Sequence, residues 1–199
     1  IKAALAASAA GMAPRNGAAD TPADSPPGLR ADDRVPVIDV TDLYHPHQDI
    51  GDNVDLIAAY ALPEIDLKAV VLDVTAKFRR AVAASSSGKF IDKEGPRDPG
   101  IIPVTQLNYL FDRNVPCGVA PFEPLRVPDD KLLDAPEFQQ TGVRLLLDVL
   151  RASREPVHIV SFGSARPLAA AFNREPKLMR AKTAKIHLCA GSTTPRYME

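Results

Sequence analysis

Five short runs of apolar residues, rich in β-branched side chains, constrain the fold of this chain more than any other feature. The runs cover residues 35–40, 67–72, 115–120, 156–162 and 185–189. Helix-like segments separate them, and we place these at residues 54–62, 103–112, 136–150 and 167–173. Apolar strands that alternate with helices are typical of a parallel sheet covered on both faces. We therefore predict an α/β fold with a mostly parallel sheet in a three-layer, Rossmann-like architecture.

The residues before the first strand have a different character. Lys2 precedes a run of alanine with Leu5 and Ser8, which is typical of the end of a signal peptide. Residues 11–33 are too poor in large apolar side chains to join a core. We therefore predict a signal-peptide remnant and disordered linker over residues 1–33 and an α/β domain over residues 34–199. This division favours a secreted or periplasmic protein, with a disordered cytoplasmic tail as the alternative.

Composition and charge exclude several classes of partner. The formal net charge is −1, so no basic excess favours nucleic acid. No apolar run approaches the roughly 18 residues of a membrane span. The two cysteines, Cys117 and Cys189, are too few for a disulfide framework or a cysteine-rich zinc site. Neither nucleic acid nor a membrane is therefore expected as a partner, and assembly into a homo-oligomer is left open.

Carboxylates crowd the loop that follows the first strand and leads into a helix. Asp39, Asp42, Asp49, Asp52 and Asp55 all lie in this stretch. Clustered carboxylates repel one another unless a cation neutralises them, and their hard oxygens suit calcium or magnesium. Ligands of parallel sheets lie beyond the carboxyl ends of the strands. The sequence therefore predicts a divalent cation site in this loop.

Two alternative roles for residues of this loop stay open. Asp52 or Asn53 is also suited to cap the helix that follows, because both residue types accept bonds from free N–H groups. His45 and His47 are spaced like the paired ligands of a transition-metal hydrolase, in which the metal activates water.

The carboxylate loop and a later block resemble the nucleoside hydrolase (inosine-uridine preferring) family. Residues 49–58 look like the family's Asp-Thr-Asp-x-Gly-x-Asp-Asp cluster and the helix start that follows it. Residues 155–191 are similar to a later strand, helix and strand end of the family. The similarity runs from about Val35 to Glu199. The chain stops before the family's late-loop histidine and aspartate, so we expect it to be the N-terminal part of a longer domain.

The resemblance implies a small-molecule substrate and hydrolysis of N-glycosidic bonds in nucleosides or related ribosyl compounds by a calcium-bound water. It implies Asp42 as the base that accepts the water's proton, or as a calcium ligand. The expected metal ligands are Asp49, Asp52, Asp55 and, through its backbone carbonyl, Arg166. The expected substrate-binding residues are Asn53 and Glu199.

Departures from the family pattern leave a second function open. Asn53 stands near a position where the family has a carboxylate, and the asparagine that follows the family's second strand has no clear match near Asp73. A non-catalytic module that binds a sugar or a cation on the same fold is therefore the alternative to a hydrolase.

Overall fold

The computed structural model describes residues 33–45, 47, 49–76 and 98–189. The five strands are β1 (Val35–Thr41), β2 (Ile65–Leu72), β3 (Cys117–Val119), β4 (Val157–Ser161) and β5 (Thr183–Leu188). The five helices are α1 (Ile50–Ala61), α2 (Ile101–Leu110), α3 (Thr141–Ala152), α4 (Arg166–Arg174) and α5 (Pro176–Lys182). A short 3-10 helix, Glu137–Gln140, leads directly into α3.

All five strands are parallel and lie in the order β3-β2-β1-β4-β5. The chain builds outward from β1 through β2 to β3 and then returns to the other side of β1. This reversal places a topological switch point between β1 and β4. In open parallel sheets, ligands bind in the crevice outside the carboxyl ends of the strands at such a point.

Helices cover both faces of the sheet, and each face has its own core. On one face, α3, α4 and α5 pack on alternate strand residues such as Ile38 and Ile159. On the other face, α1 and α2 pack on residues such as Val37 and Val70. Since neighbouring residues of a strand point to opposite faces, Asp39 and Thr41 share the α1 face with Val37. The predicted α/β architecture in three layers is confirmed.

Details of the fold differ from the sequence-based expectations. Helix α1 begins at Ile50, four residues before the predicted start, because the polar first turn carries no apolar stripe. Helix α5 was not predicted, since its seven residues are too few to show a periodic pattern. Strand β5 forms an edge of the sheet, and its Ile186 and Leu188 side chains remain exposed.

Several expectations concern residues outside the described part of the chain. These are the leader up to residue 32, most of an exposed polar loop that the sequence predicts over residues 79–100, and Glu199. Asp98 and Gly100, at the end of the predicted polar loop, are ordered against His45 and Leu43 respectively. Among the described residues, no helix combines the length and apolar character needed to cross a membrane.

Candidate functional site

The carboxyl end of β1 brings the carboxylate loop to the switch point of the sheet. Strand β1 ends at Thr41, and Asp42 follows it directly. The backbone of Phe162, just after β4, donates a hydrogen bond to the Val40 carbonyl at 2.8 Å. The N-terminus of α1 returns to the same edge, so its first turn faces the end of β1. Carboxylates that are up to sixteen residues apart in sequence are thus gathered in one place.

The side chains of Asp42 and Asp52 lie within hydrogen-bonding reach of each other. An ionised carboxylate is only an acceptor, so a hydrogen bond between them requires one member of this pair to carry a proton. Burial, followed by the negative charge and hydrogen bond of Asp52 and the charge of Asp73, raises the pKa of Asp42 to about 8. Burial, followed by the charges of Asp49 and Asp55, also raises the pKa of Asp52. The two side chains therefore hold a proton near neutral pH.

Asp39 lies beneath this pair on the α1 face of β1. Its side chain is 1% exposed, and its Oδ1 atom has no hydrogen-bond partner. Burial, followed by the charges of Asp55 and Asp52, raises the pKa of Asp39 to about 7. An ionisable group of this kind, without a compensating partner, is costly to bury. Asp39 is therefore accommodated either by keeping its proton or by a cation close to it.

Two hydroxyls at the same edge are also unsatisfied. The Oγ1 atoms of Thr41, which ends β1, and of Thr75, which follows β2, are buried without a hydrogen-bond partner. Nearly all buried polar atoms in proteins have such a partner, in the protein or in ordered water. Unsatisfied oxygen atoms at the ends of two adjacent strands indicate a place where a polar ligand, a cation or water binds.

Asp49 and Asn53 act locally on helix α1. Asp49 is the N-cap residue, and its Oδ1 accepts a hydrogen bond of 2.7 Å from the Gly51 backbone. The Asn53 amide donates to the Asp49 carbonyl at 3.2 Å. Capping thus falls to Asp49 rather than to Asp52 or Asn53. The cap uses one carboxylate oxygen of Asp49 and leaves the other for a ligand.

Asp55 and Arg166, two further predicted metal ligands, take no part in the Asp42–Asp52 pair. Asp55 is half-buried on α1 and acts on Asp39 and Asp52 through its charge. Arg166 is the first residue of α4, where a backbone carbonyl ordinarily accepts a bond from the next helical turn. The structure therefore pairs Asp42 with Asp52. Asp49 and Asp55 act on Asp52 through their charges, and Asp52 and Asp55 act on Asp39 in the same way.

Asp73 is a residue of this edge to which sequence reasoning assigned no role. It follows β2 directly and is buried. Its two oxygens accept hydrogen bonds from the Arg166 guanidinium and, at 2.6 Å, from the Ser164 backbone. Arg166 also donates to the carbonyls of Val74 and Phe122. This network fixes the loop after β4 across the end of β1 and so shapes one wall of the crevice.

Tyr44 is a second residue that the sequence did not single out. Its side chain is fully buried, and its hydroxyl accepts a hydrogen bond of 2.9 Å from the Thr75 backbone. The residue has a φ of 50°, which is uncommon for a residue other than glycine. Tyr44 thus fixes the carboxylate loop to the end of β2. No local pattern in the sequence could have revealed this contact.

The donor set at this edge suits a hard cation that is held in part by backbone and water oxygens. Across the described segments, no three Asp, Glu, His or Cys side chains lie close enough together to hold a metal ion. Asp42 and Asp52 would therefore supply the direct carboxylate ligands. Calcium accepts six to eight oxygens, including carbonyls and water, and tolerates irregular geometry. The carboxylate oxygens of Asp42 and Asp52 are ligands of the kind that calcium accepts.

The four histidines of the chain lie in two separate parts of the structure. His45 pairs with Asp98 through backbone hydrogen bonds of 2.9 and 3.0 Å, and the side chains of His45 and His47 are both exposed. His158 and His187 lie on neighbouring strands and stack on each other with ring centroids 5.6 Å apart. Cys117 and Cys189 are both free thiols, on opposite edges of the sheet.

Comparison with known proteins assigns no family to this chain. No protein-family model matches it, and a search of curated proteins finds no match.

Proposed function

We propose that this protein hydrolyses the N-glycosidic bond of nucleosides or related ribosyl compounds with a calcium ion held by Asp42 and Asp52. The observation that carries the proposal is the pair of these two carboxyls, within hydrogen-bonding reach of each other, above the buried, unpartnered carboxyl of Asp39. The resemblance of the loop to the nucleoside hydrolase motif supplies the reaction class.

The charges around the pair support a cation rather than an anion. Every charge that shifts the pKa of Asp39, Asp42 or Asp52 belongs to another carboxylate. The guanidinium of Arg166, at the same edge, is already paired with Asp73. A divalent cation that replaces the shared proton of Asp42 and Asp52 would relieve this repulsion. Cation binding should therefore release protons and strengthen as the pH rises.

The proposed mechanism assigns one proton transfer to the protein. A calcium ion held by Asp42 and Asp52 would supply a Lewis acid that anchors sugar hydroxyls and lowers the pKa of a nearby water. Asp42 accepts the proton of that water as its oxygen bonds to the anomeric carbon, while the bond to the base nitrogen breaks. Asp52 holds Asp42 in place, and Asp39 adds negative charge that favours an oxocarbenium-like transition state. The leaving base takes up a proton from solvent.

The test is ribose release from inosine and uridine by the full chain, first with EDTA and then with added calcium. Asp42→Asn should abolish calcium-dependent release, because it removes a charge and a proton acceptor at nearly constant volume. Asp148→Asn, an exposed carboxylate of α3, is the matched control and should retain full activity. Equal turnover by the wild type and Asp42→Asn would rule out Asp42 as the base.

A non-catalytic module that binds a sugar or a cation is the second candidate, and one observation favours it. Both oxygens of Asp73 are engaged by Arg166 and Ser164, so the residue after β2 is not free to hold a ribose hydroxyl. Stoichiometric calcium without ribose release from any nucleoside would support this module. Stoichiometric zinc without calcium would instead support the transition-metal hydrolase based on His45 and His47.

A further inference from the structure

A cavity of about 440 Å³ lies beside α3 and α4, and it shares no residue with the carboxylate site. Small-molecule sites commonly have volumes of roughly 300–1,000 Å³. Four cationic side chains and two carboxylates line this cavity, so positive charge is in excess by two. The cations are Lys131, Arg144, Arg151 and Arg174, and the carboxylates are Glu137 and Glu175.

The ion pairs in the cavity wall divide these cations into two groups. Arg151 binds both Asp148 and Glu175, so its charge is compensated. Arg144 pairs with Glu137, but both side chains are largely exposed, and such pairs contribute little. Lys131 and Arg174 have no carboxylate within ion-pair distance among the described residues. The charge available to a ligand therefore belongs to Lys131, Arg144 and Arg174.

Arg174 is held rigidly with part of its guanidinium unused. Its Nε donates to the Lys131 carbonyl at 2.8 Å, and its Nη2 donates to Gln140 Oε1 at 2.7 Å and to the Leu132 carbonyl at 3.3 Å. The structure gives Nη1 no protein acceptor among the described residues, although a guanidinium has five N–H groups to donate. Gln140 is itself fixed by hydrogen bonds to the carbonyls of Leu132 and Ala135.

The positive charge of Arg174 is repelled by the charge of Arg144. Partial burial, followed by the charge of Arg144, lowers the pKa of Arg174 below its usual range. Two guanidiniums that repel each other across a cavity are stabilised by an anion between them. Arginine is the side chain best suited to bind phosphate or carboxylate through paired N–H groups.

We propose that this cavity binds the phosphate group of a small phosphate monoester through Arg144, Arg174 and Lys131. The two negative charges of the phosphate group match Lys131 and Arg174, the two lining cations without a carboxylate partner among the described residues. The cavity has room for an organic group beyond the phosphate, and Leu133 and Leu147 give it apolar contacts. Arg174 is pre-organised by its contacts with Gln140 and the backbone, so binding orders little more of the site.

The experiment is calorimetric titration of the full chain with inorganic phosphate and with glycerol 3-phosphate, at constant ionic strength set with chloride. Arg144→Gln is the main variant, because its partners are exposed atoms of Glu137 and the fold does not depend on them. It should weaken binding about tenfold, as expected when one charged hydrogen bond is lost. Lys131→Gln should weaken it as well.

Arg180→Gln is the matched control, since Arg180 is exposed on α5 and lies over the Phe172 ring, away from the cavity. It should bind like the wild type. Glycerol 3-phosphate binding at least as tightly as inorganic phosphate supports the proposal. Saturable binding of inorganic phosphate alone overturns the monoester assignment. Absence of binding by either probe up to the order of 10 mM, or equal affinity in wild type, Arg144→Gln and Lys131→Gln, overturns the site itself.

Discussion

Asp73, the residue after β2, forms a buried ion pair with Arg166, the first residue of α4. The two residues are 93 positions apart in sequence. Their contact, together with the bond from the Ser164 backbone to Asp73, draws the loop after β4 across the end of β1. Gly163 permits this close approach, since a Cβ there would lie 2.9 Å from the Asp73 carboxylate. The crevice at the switch point is therefore built on this pair.

Removing one partner of the pair should be strongly destabilising. Arg166→Met leaves the Asp73 carboxylate buried without its counter-ion, which typically costs about 3–5 kcal/mol in the free energy of unfolding. Asp73→Asn should cost less, because Arg166 keeps its bonds to the Val74 and Phe122 carbonyls. Urea unfolding of both variants, with the exposed Arg180→Met as control, measures the difference. A loss of less than about 1 kcal/mol in Arg166→Met would show that the pair is not a fixed part of the fold.

Without divalent cations, the protein should lose stability as the pH rises from about 4 to 8. The folded pKa values of Asp39 and Asp42, about 7 and about 8, exceed the ordinary value of 3.8. The folded state therefore binds more protons than the unfolded state, and this contribution is fully present below pH 3.8. It is lost as the pH rises through the folded pKa values.

Thermal unfolding in EDTA between pH 5 and 8.5 measures this loss, and added calcium should reverse it at the upper end. The double variant Asp39→Asn with Asp42→Asn should show a flatter profile, because the two titrating carboxyls are gone. A stability in EDTA that increases through this range would contradict the raised pKa values.

The cap at Asp49 separates a structural role from a metal-binding one. Asp49→Ala removes the hydrogen bond to Gly51 and should cost about 1 kcal/mol. Asp49→Asn keeps a capping oxygen and should be nearly neutral for stability. If Asp49 also binds calcium, both variants should lose calcium affinity. If Asp49 is only a cap, calcium affinity should fall only in Asp49→Ala, the variant in which α1 is destabilised. Unfolding measurements paired with calcium titrations therefore decide between the two roles.

The strands and the carboxylate loop could be predicted from the sequence because their signals are local. An apolar run such as residues 67–72 records burial on both faces, and the alternation of such runs with helices implies a parallel sheet. Since ligands of parallel sheets lie beyond the carboxyl ends of the strands, Asp42, which follows β1 directly, was expected at this edge. Calcium, the N-glycosidic reaction and the export signal stay predictions.

The remaining parts of the site depend on contacts that no local pattern records. Arg166 resembled a backbone ligand in the sequence, but its side chain reaches Asp73 on another strand. Asp49 stood among five carboxylates, and only the backbone angles of α1 make it the cap. Asp39 stood among the same carboxylates, although it lies within β1. Its orientation became clear only once β1 and α1 were packed together.

Gly118 and Gly142 allow β3 and the start of α3 to approach closely. A Cβ on Gly142 would lie 2.8 Å from the Ala120 nitrogen, and one on Gly118 would lie 2.7 Å from the Thr141 carbonyl oxygen. Helix propensity alone predicts that Gly142→Ala stabilises α3 by about 1 kcal/mol. The backbone clash should outweigh this gain and destabilise the protein by about 1–3 kcal/mol. Chemical unfolding of Gly142→Ala tests the sign, with Arg154→Ala, an exposed residue beyond the other end of α3, as the control.

Asp39→Asn should change stability and calcium affinity in opposite directions. The buried carboxyl of Asp39 has no partner at Oδ1 and faces the charges of Asp52 and Asp55, so a neutral amide of similar size relieves the repulsion. At pH 8 in EDTA, Asp39→Asn should therefore unfold at a higher temperature than the wild type. The same change removes negative charge that acts on Asp52, the other proposed ligand, and should weaken calcium binding about tenfold or more. Turnover should fall less than in Asp42→Asn, because Asp39 takes no proton from the water. A variant that gains stability and keeps full calcium affinity would show that the Asp39 charge has no part in holding the cation.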